Sequence, residues 1–209
     1  PIYFAESDPV NPLNVYARSK LAGEQEAMEN RQALVLRTNI FGWNIQEKFS
    51  LAEWILYSLL RGEPIRSFRD VTFSSMYTLA LAKVLSVIVE RDLTGIYNCG
   101  CRTSLSKYEF ALKIAELFRM PSSLITPISI DAFGFTARRG KDMRLNVEKL
   151  RRDLGLDLPT MEESLEAFHR DYQRGLPEEL RRGNRASTTV FPQLEYLPYG
   201  RQTLDEADI

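Results

Sequence analysis

"NVYARSKLAGEQEAMENRQALVLRTNIFG", residues 14–42, changes its hydrophobic pattern halfway along, and that change decides the fold class. The first half is rich in helix formers. Asn11 and Pro12 just upstream read as an N-cap and a first helical position, so a helix is expected from 12 to 30. The second half is a short continuous apolar run. Such a run predicts a strand over 33–38, buried on both faces of a parallel sheet and ending at a loop with Asn39 and Gly42.

The same alternation continues downstream. Helices are expected at 50–61, stopped by Gly62 and Pro64, at 74–92, and from a cap at Ser104 or Ser106 to just before Pro121. Shorter helices are expected at 146–154 and 160–174, a strand at 95–98, and weaker strands at 65–68 and 125–129. Helices alternating with strands define an α/β chain with a parallel sheet. Two convincing strands make a thin sheet for so many apolar helix faces. From residue 176 the pattern turns polar and proline-bearing, so 1–175 reads as the structured unit and 176–209 as a linker or tail.

Composition narrows the function. At 209 residues and 44% hydrophobic, the chain can build one cored domain with an appendage. A formal net charge of -1 offers no broad positive field, which argues against nucleic acid as a partner. No apolar stretch approaches the ~18 residues of a membrane-spanning helix, and the opening "PIYFAESDPVNP" has neither a basic leader nor an apolar segment behind it. A cytoplasmic protein without a membrane partner is the expectation. Cys99 and Cys101 are the only cysteines, too few for a disulfide framework or a four-cysteine zinc site, and read as reduced thiols at a strand end. His169 is the only histidine, on a helix whose apolar stripe is Leu165, Phe168 and Tyr172, so it is expected at the surface. A histidine-based triad, and a metal site of any kind, are not expected.

Tyr16 and Lys20 are four positions apart on the first helix, so phenol and ammonium share a face, and Gly23 keeps that face open. A free phenol titrates near pH 10, and lowering that by ~3 units takes roughly 4 kcal/mol of preferential phenolate stabilisation. An ammonium close by can supply much of it. The chemistry suited to such a pair is proton transfer at a hydroxyl or carbonyl oxygen while hydride moves at the adjacent carbon. Spacing alone is weak evidence, because a packed tyrosine beside a solvated lysine has the same spacing.

More than the pair matches. An acidic "ESD" segment, "PLNVYARSKLAGE", "LRTNIFG", "GIYNCG", "LSKYEFA" and "ARRGKDMRL" follow one another from residue 3 to about 170. In that order they resemble the extended short-chain dehydrogenase/reductase family, most closely its dTDP-4-dehydrorhamnose reductase-like (RmlD-like) branch. The resemblance implies a partial Rossmann-type parallel sheet with flanking helices and a small substrate-binding region. It implies a nucleotide-sugar substrate, NADP or NAD as cofactor, and a homodimer as the assembly. Tyr16 would be the catalytic acid/base, and Lys20 its activator and a ligand of the nicotinamide ribose. Thr38 and Asn39 would meet the cofactor, and Asn39 also the substrate. Arg139 would bind the sugar nucleotide's phosphates, a task that suits a guanidinium. Read from the residues alone, Arg139 is equally a solvated charge in a basic loop. Gly140 and Met143 depart from the Pro and Ser common in the family, which leaves the sugar open. An epimerase or dehydratase of the same superfamily would use the same pair, and a non-catalytic module binding a sugar nucleotide or a partner subunit would keep the fold.

Such enzymes also carry a G-x-x-G-x-x-G turn between a strand and a helix, which receives the cofactor's pyrophosphate. These residues contain no such turn, nor the family's upstream Ser/Thr that assists the tyrosine. The expectation is the later part of the dinucleotide-binding sheet plus the substrate region, unable by itself to hold NAD(P)H. The last stretch, "YLPYGRQTLDEADI", resembles the opening of DegT/DnrJ/EryC1-type aminotransferases, which implies a fused or neighbouring aminotransferase.

Overall fold

The computed structural model describes residues 3–45 and 48–182. The chain runs through α1 (Val15–Met28), β1 (Leu34–Thr38), β2 (Ile40–Phe41), α2 (Leu51–Leu60), β3 (Ile65–Phe68), β4 (Thr72–Phe73), β5 (Met76–Tyr77) and α3 (Thr78–Glu90). It continues through β6 (Gly95–Cys99), β7 (Leu105–Ser106), α4 (Lys107–Leu117), β8 (Ile125–Ile128), β9 (Asp142–Met143), α5 (Glu148–Leu154) and α6 (Met161–Gln173). β1 lies parallel to β6 with Leu34 opposite Gly95 and Thr38 opposite Cys99. β2 pairs with β5 and β3 with β8, both parallel, while β4 joins antiparallel β7 to parallel β9. Helices carry the chain between most parallel partners, so the α/β architecture stands, built from short ladders.

Local signals explain the helix ends. Ser50 with Glu53, Ser106 with Glu109 and Thr160 with Glu163 form capping boxes at the heads of α2, α4 and α6, each pair satisfying two otherwise unpaired backbone N–H groups. α1 begins three residues later than the Asn11 signal predicts. Asn14 is its cap, with the side-chain oxygen accepting from the Ala17 amide at 2.8 Å. The expected helix at 74–92 is likewise shorter, because Met76 and Tyr77 pair with β2 before α3 begins.

The core gathers around Phe168 of α6. Its ring stacks on Trp43 at 3.9 Å between centroids and meets Phe41 and Tyr77 edge-on at 5.7 and 5.9 Å. The Trp43 indole N–H donates to the Phe168 carbonyl at 3.2 Å, so its one polar group is satisfied inside the core. Phe110, Ile114 and Ala115 of α4 and Ile55, Leu56 and Leu59 of α2 are also buried there. Two glycines permit close approaches. A Cβ on Gly42 would stand 2.1 Å from the Thr78 hydroxyl, and one on Gly100 would stand 2.5 Å from the Ser74 carbonyl oxygen.

A second, smaller apolar cluster forms around Phe68, Val71 and Ile130, with Phe133 and Phe135 against it. It underlies the loop that carries Arg139.

Three further expectations change. β1 is only half-buried over Leu34–Arg37 and exposed at Thr38, not covered on both faces: β6 alone pairs with it among the described residues, and the preceding helix α1 buries no residue. His169 is half-buried against the Phe118 ring at 4.7 Å, where burial and the nearby Arg119 hold its imidazole below the usual range. Residues 176–182 are helical, and Leu176 and Leu180 pack on the core, so structure continues past 175. Arg181 reaches the fully buried Glu53 at 3.4 Å and the Tyr57 hydroxyl at 3.0 Å. The aminotransferase-like stretch at 196–209 lies outside the described residues. Cys99 and Cys101 are free and buried, as expected; burial pushes their thiols up to about 11 and about 12, so they are inert at neutral pH. Among the described residues, no group of three or more metal-ligating side chains occurs, and no helix is long and apolar enough to cross a membrane.

Candidate functional site

The site assembles at the head of α1. Asn14 caps that helix with its oxygen and donates its side-chain N–H to the Arg138 carbonyl at 2.9 Å. One side chain thus ties the helix of Tyr16 and Lys20 to the loop of Arg139. Beside this tie lies a cleft of about 510 Å³, lined by Asn11, Leu13, Ile130, Phe135, Arg138 and Arg139 among others. Asn11 and Leu13 line it because they precede the helix instead of starting it.

Tyr16 and Lys20 do share a face. The Lys20 ammonium lies 5.5 Å from the centre of the Tyr16 ring, and nothing stands within 4 Å of the Cβ position at Gly23. Both side chains are exposed, Tyr16 at 70%, and neither lines the cleft. α1 has no buried residue. It is held to the body through polar contacts: the Arg37 guanidinium of β1 clasps the Glu24 carboxylate at 2.6 and 2.9 Å. That hydrogen-bonded carboxylate holds Arg37 above its ordinary range, against an opposing effect of burial.

At the end of β1, Thr38 is exposed and Asn39 half-buried, the Asn39 side-chain oxygen accepting from the Ser75 hydroxyl at 3.4 Å. The Asn39 carbonyl accepts from Met76 at 2.8 Å, which fixes the turn into β2. The Thr38 hydroxyl and the Asn39 amide are groups that suit the ribose and carboxamide of a nicotinamide, and they stand at the carboxyl end of a parallel strand, where open α/β sheets bind ligands. Among the described residues, no glycine-rich turn leads from strand to helix, so the fit covers that end of a cofactor only.

Arg139 is half-buried with its guanidinium 4.3 Å from the Phe135 ring centre, and no carboxylate pairs with it among the described residues. Lys141, by contrast, is neutralised by Asp70 at 3.3 Å and by Asp131. Asp70 also accepts from the Ser129 hydroxyl at 2.7 Å and the Ile130 amide at 2.9 Å, which fixes the loop at its root and, with Lys141, keeps the carboxyl below its usual range despite burial. The roles of Asn14, Glu24 and Phe135 escaped the sequence reading. Glu24 stands inside the matched "SKLAGE" stretch, so its place in the motif was a usable signal.

The contacts define a parallel-stranded α/β body in which the head of the Tyr/Lys helix is tied to a loop lining a basic cleft. The RmlD substrate-binding domain family matches residues 1–174, and the chain belongs to that family. It is 29% identical over 155 residues to methionine adenosyltransferase 2 subunit beta of Danio rerio, covering 70% of this chain and 48% of that protein. It is 25% identical over 177 residues to the Haloferax volcanii protein described as "Probable low-salt glycan biosynthesis reductase", covering 81% of this chain and 59% of that one. The crystal structure of dTDP-4-dehydrorhamnose reductase from Bacillus anthracis, in complex with NADP, superposes with a TM-score of 0.72 at 28% identity, covering 78% of this chain and 58% of that one. The chain therefore spans about half the length of the curated relatives it matches.

Proposed function

We propose that this chain is the substrate side of an NAD(P)-dependent nucleotide-sugar 4-keto reductase, with Tyr16 and Lys20 as its proton-transfer pair and Arg139 as its phosphate ligand. The observation that carries the reading is the Asn14 hydrogen bond, which sets the head of the Tyr/Lys helix against the arginine-bearing cleft. The Haloferax and Bacillus likenesses support a reductase of this class.

In this mechanism the cleft holds the nucleotide by its phosphates and orients the sugar toward α1. The Tyr16 phenol donates a proton to the carbonyl oxygen, and the Lys20 ammonium favours the phenolate left behind. Lys20, Thr38 and Asn39 would hold the nicotinamide end of the cofactor. The bound cofactor supplies the hydride. The described residues offer no cradle for its pyrophosphate, so the chain alone should bind NADPH poorly; isothermal titration checks this, and micromolar affinity would overturn it.

The substrate reading is tested by titrating dTDP-glucose into the chain. Binding that is lost in Arg139→Ala and kept in Tyr16→Phe is expected. Equal affinity for wild type and Arg139→Ala would sink it.

The likeness to an adenosyltransferase subunit favours a second reading, a module that binds a sugar nucleotide or a partner subunit without turning it over. The two part at one measurement. Under the second reading, NADPH consumption with a 4-keto sugar nucleotide stays absent even when the glycine-rich cofactor half of a reductase is supplied in trans.

A further inference from the structure

Behind Phe135 and Arg139, which line the cleft, lies a cluster of three aromatic rings and three cations. Phe68 of β3 meets Phe133 at 5.4 Å and Phe135 at 5.8 Å between centroids, and the latter two lie 4.5 Å apart. Arg66 stands over Phe133 at 5.2 Å, Arg139 over Phe135 at 4.3 Å, and the Lys107 ammonium over Phe68 at 5.7 Å. Lys107 is the first residue of α4, and its backbone N–H donates a hydrogen bond to the Val71 carbonyl at 2.9 Å. Its ammonium has no carboxylate within ion-pair distance among the described residues, and neither has the Arg139 guanidinium. Burial and the Arg139 charge push the Lys107 ammonium down to about 8. Two cations over neighbouring rings, without a counter-ion, repel each other in a partly dry site. Such an arrangement is relieved by a ligand that brings negative charge.

We propose that Lys107 is the second cation of the phosphate subsite, its ammonium and the Arg139 guanidinium together receiving a diphosphate group. The proposal rests on the nucleotide-sugar reading and adds a residue to it. Adjacent phosphates suit the pair: a guanidinium can grip one bidentately while a compact ammonium serves the next. The rings beneath supply a desolvated floor on which both charges act at short range.

The test titrates inorganic pyrophosphate, thymidine diphosphate and thymidine into the full chain, as wild type, Lys107→Met, Lys107→Arg and Arg139→Ala. Pyrophosphate and thymidine diphosphate should weaken at least tenfold in Lys107→Met and in Arg139→Ala, with Lys107→Arg retaining most of the affinity and thymidine unaffected throughout. Without ligand, Lys107→Met should melt above wild type because a repulsion is gone, and pyrophosphate should raise the midpoints of wild type and Lys107→Arg but not those of Lys107→Met and Arg139→Ala. A lysine serving only to pack on Phe68 gives the reverse: a lower midpoint and unchanged affinity, which overturns the proposal. A measurement on wild type guards against a variant that fails to fold. Acylation of Lys107 by an amine-reactive ester, mapped by mass spectrometry, should slow in pyrophosphate, and equal rates overturn the proposal. If Arg139→Ala loses binding and Lys107→Met does not, the Lys107 assignment falls and the nucleotide reading stands. If wild type binds neither diphosphate, both fall.

Discussion

α1 and α6 are nearly the same length and live in opposite environments. α6 buries Met161, Ser164, Leu165 and Phe168, whereas α1 buries nothing and leaves Tyr16 70% exposed. The first helix is fixed by the Glu24–Arg37 clasp and the Asn14 bond to Arg138, the second by a stack of aromatic rings. Stability is thus concentrated around α2, α4 and α6, and the residues proposed for chemistry sit on an element that contributes little to it. Substitutions in the two regions should differ in kind as well as size.

The largest effect belongs to Phe168→Ala, which empties the centre of the aromatic stack and should cost roughly 3–5 kcal/mol in denaturant unfolding. A loss below ~1 kcal/mol would contradict the core assignment. Gly100→Ala should follow at about 1–3 kcal/mol, because its new methyl meets the Ser74 carbonyl, which the surrounding strands hold in place.

Lys107 links the comparison to pH. Its folded-state value, about 8, lies below the ordinary lysine value of 10.5, so between those values the unfolded chain binds a proton that the folded chain does not. The penalty is therefore complete below pH 8 and relieved as pH rises toward 10.5. This contribution should raise stability by about 1–3 kcal/mol across that window, measured as wild type against Lys107→Met, whose curve lacks the rise. Tyr77 works the other way at the alkaline end. Burial and the Asp171 carboxylate raise its phenol well above the usual range, so stability falls once the unfolded tyrosine ionises.

Glu24→Gln should cost no more than ~1 kcal/mol globally, since the pair is partly exposed. Its signature is local, with faster amide exchange confined to α1. Tyr16→Phe should be the smallest, within ±0.5 kcal/mol, as an exposed hydroxyl at the surface. A large loss there would mean that the ring is buried against something, and the contrast between the two helices would fail.

What the sequence disclosed follows the range of the interactions involved. Capping boxes are local, so α2 and α6 lie within a residue of their expected bounds and α4 starts right after its Ser106 cap, though it ends at Leu117, short of the expected stop at Pro121. The two-residue strands β2, β4, β5, β7 and β9 are too short to show a period, and β5 was absorbed into the helix predicted at 74–92. Tyr16, Lys20 and Arg139 were picked out through motifs, and the tie between the head of α1 and the Arg139 loop was not, because it depends on a bond from Asn14 to a residue 124 positions away. Lys107 was unreadable for a related reason. Nothing near it in sequence says that Phe68 lies beneath it or that Arg139 stands nearby.

The ladder of β1 with β6 has one further consequence. On the side of β1 away from β6, no other described strand meets the backbone amides and carbonyls of this five-residue strand, whose first three residues are apolar. An open edge of that kind is a template for strand addition, within an assembly or between misdirected copies. Handled as an isolated chain, the protein should therefore begin to self-associate there, and a lysine placed at Val35 should improve its solubility.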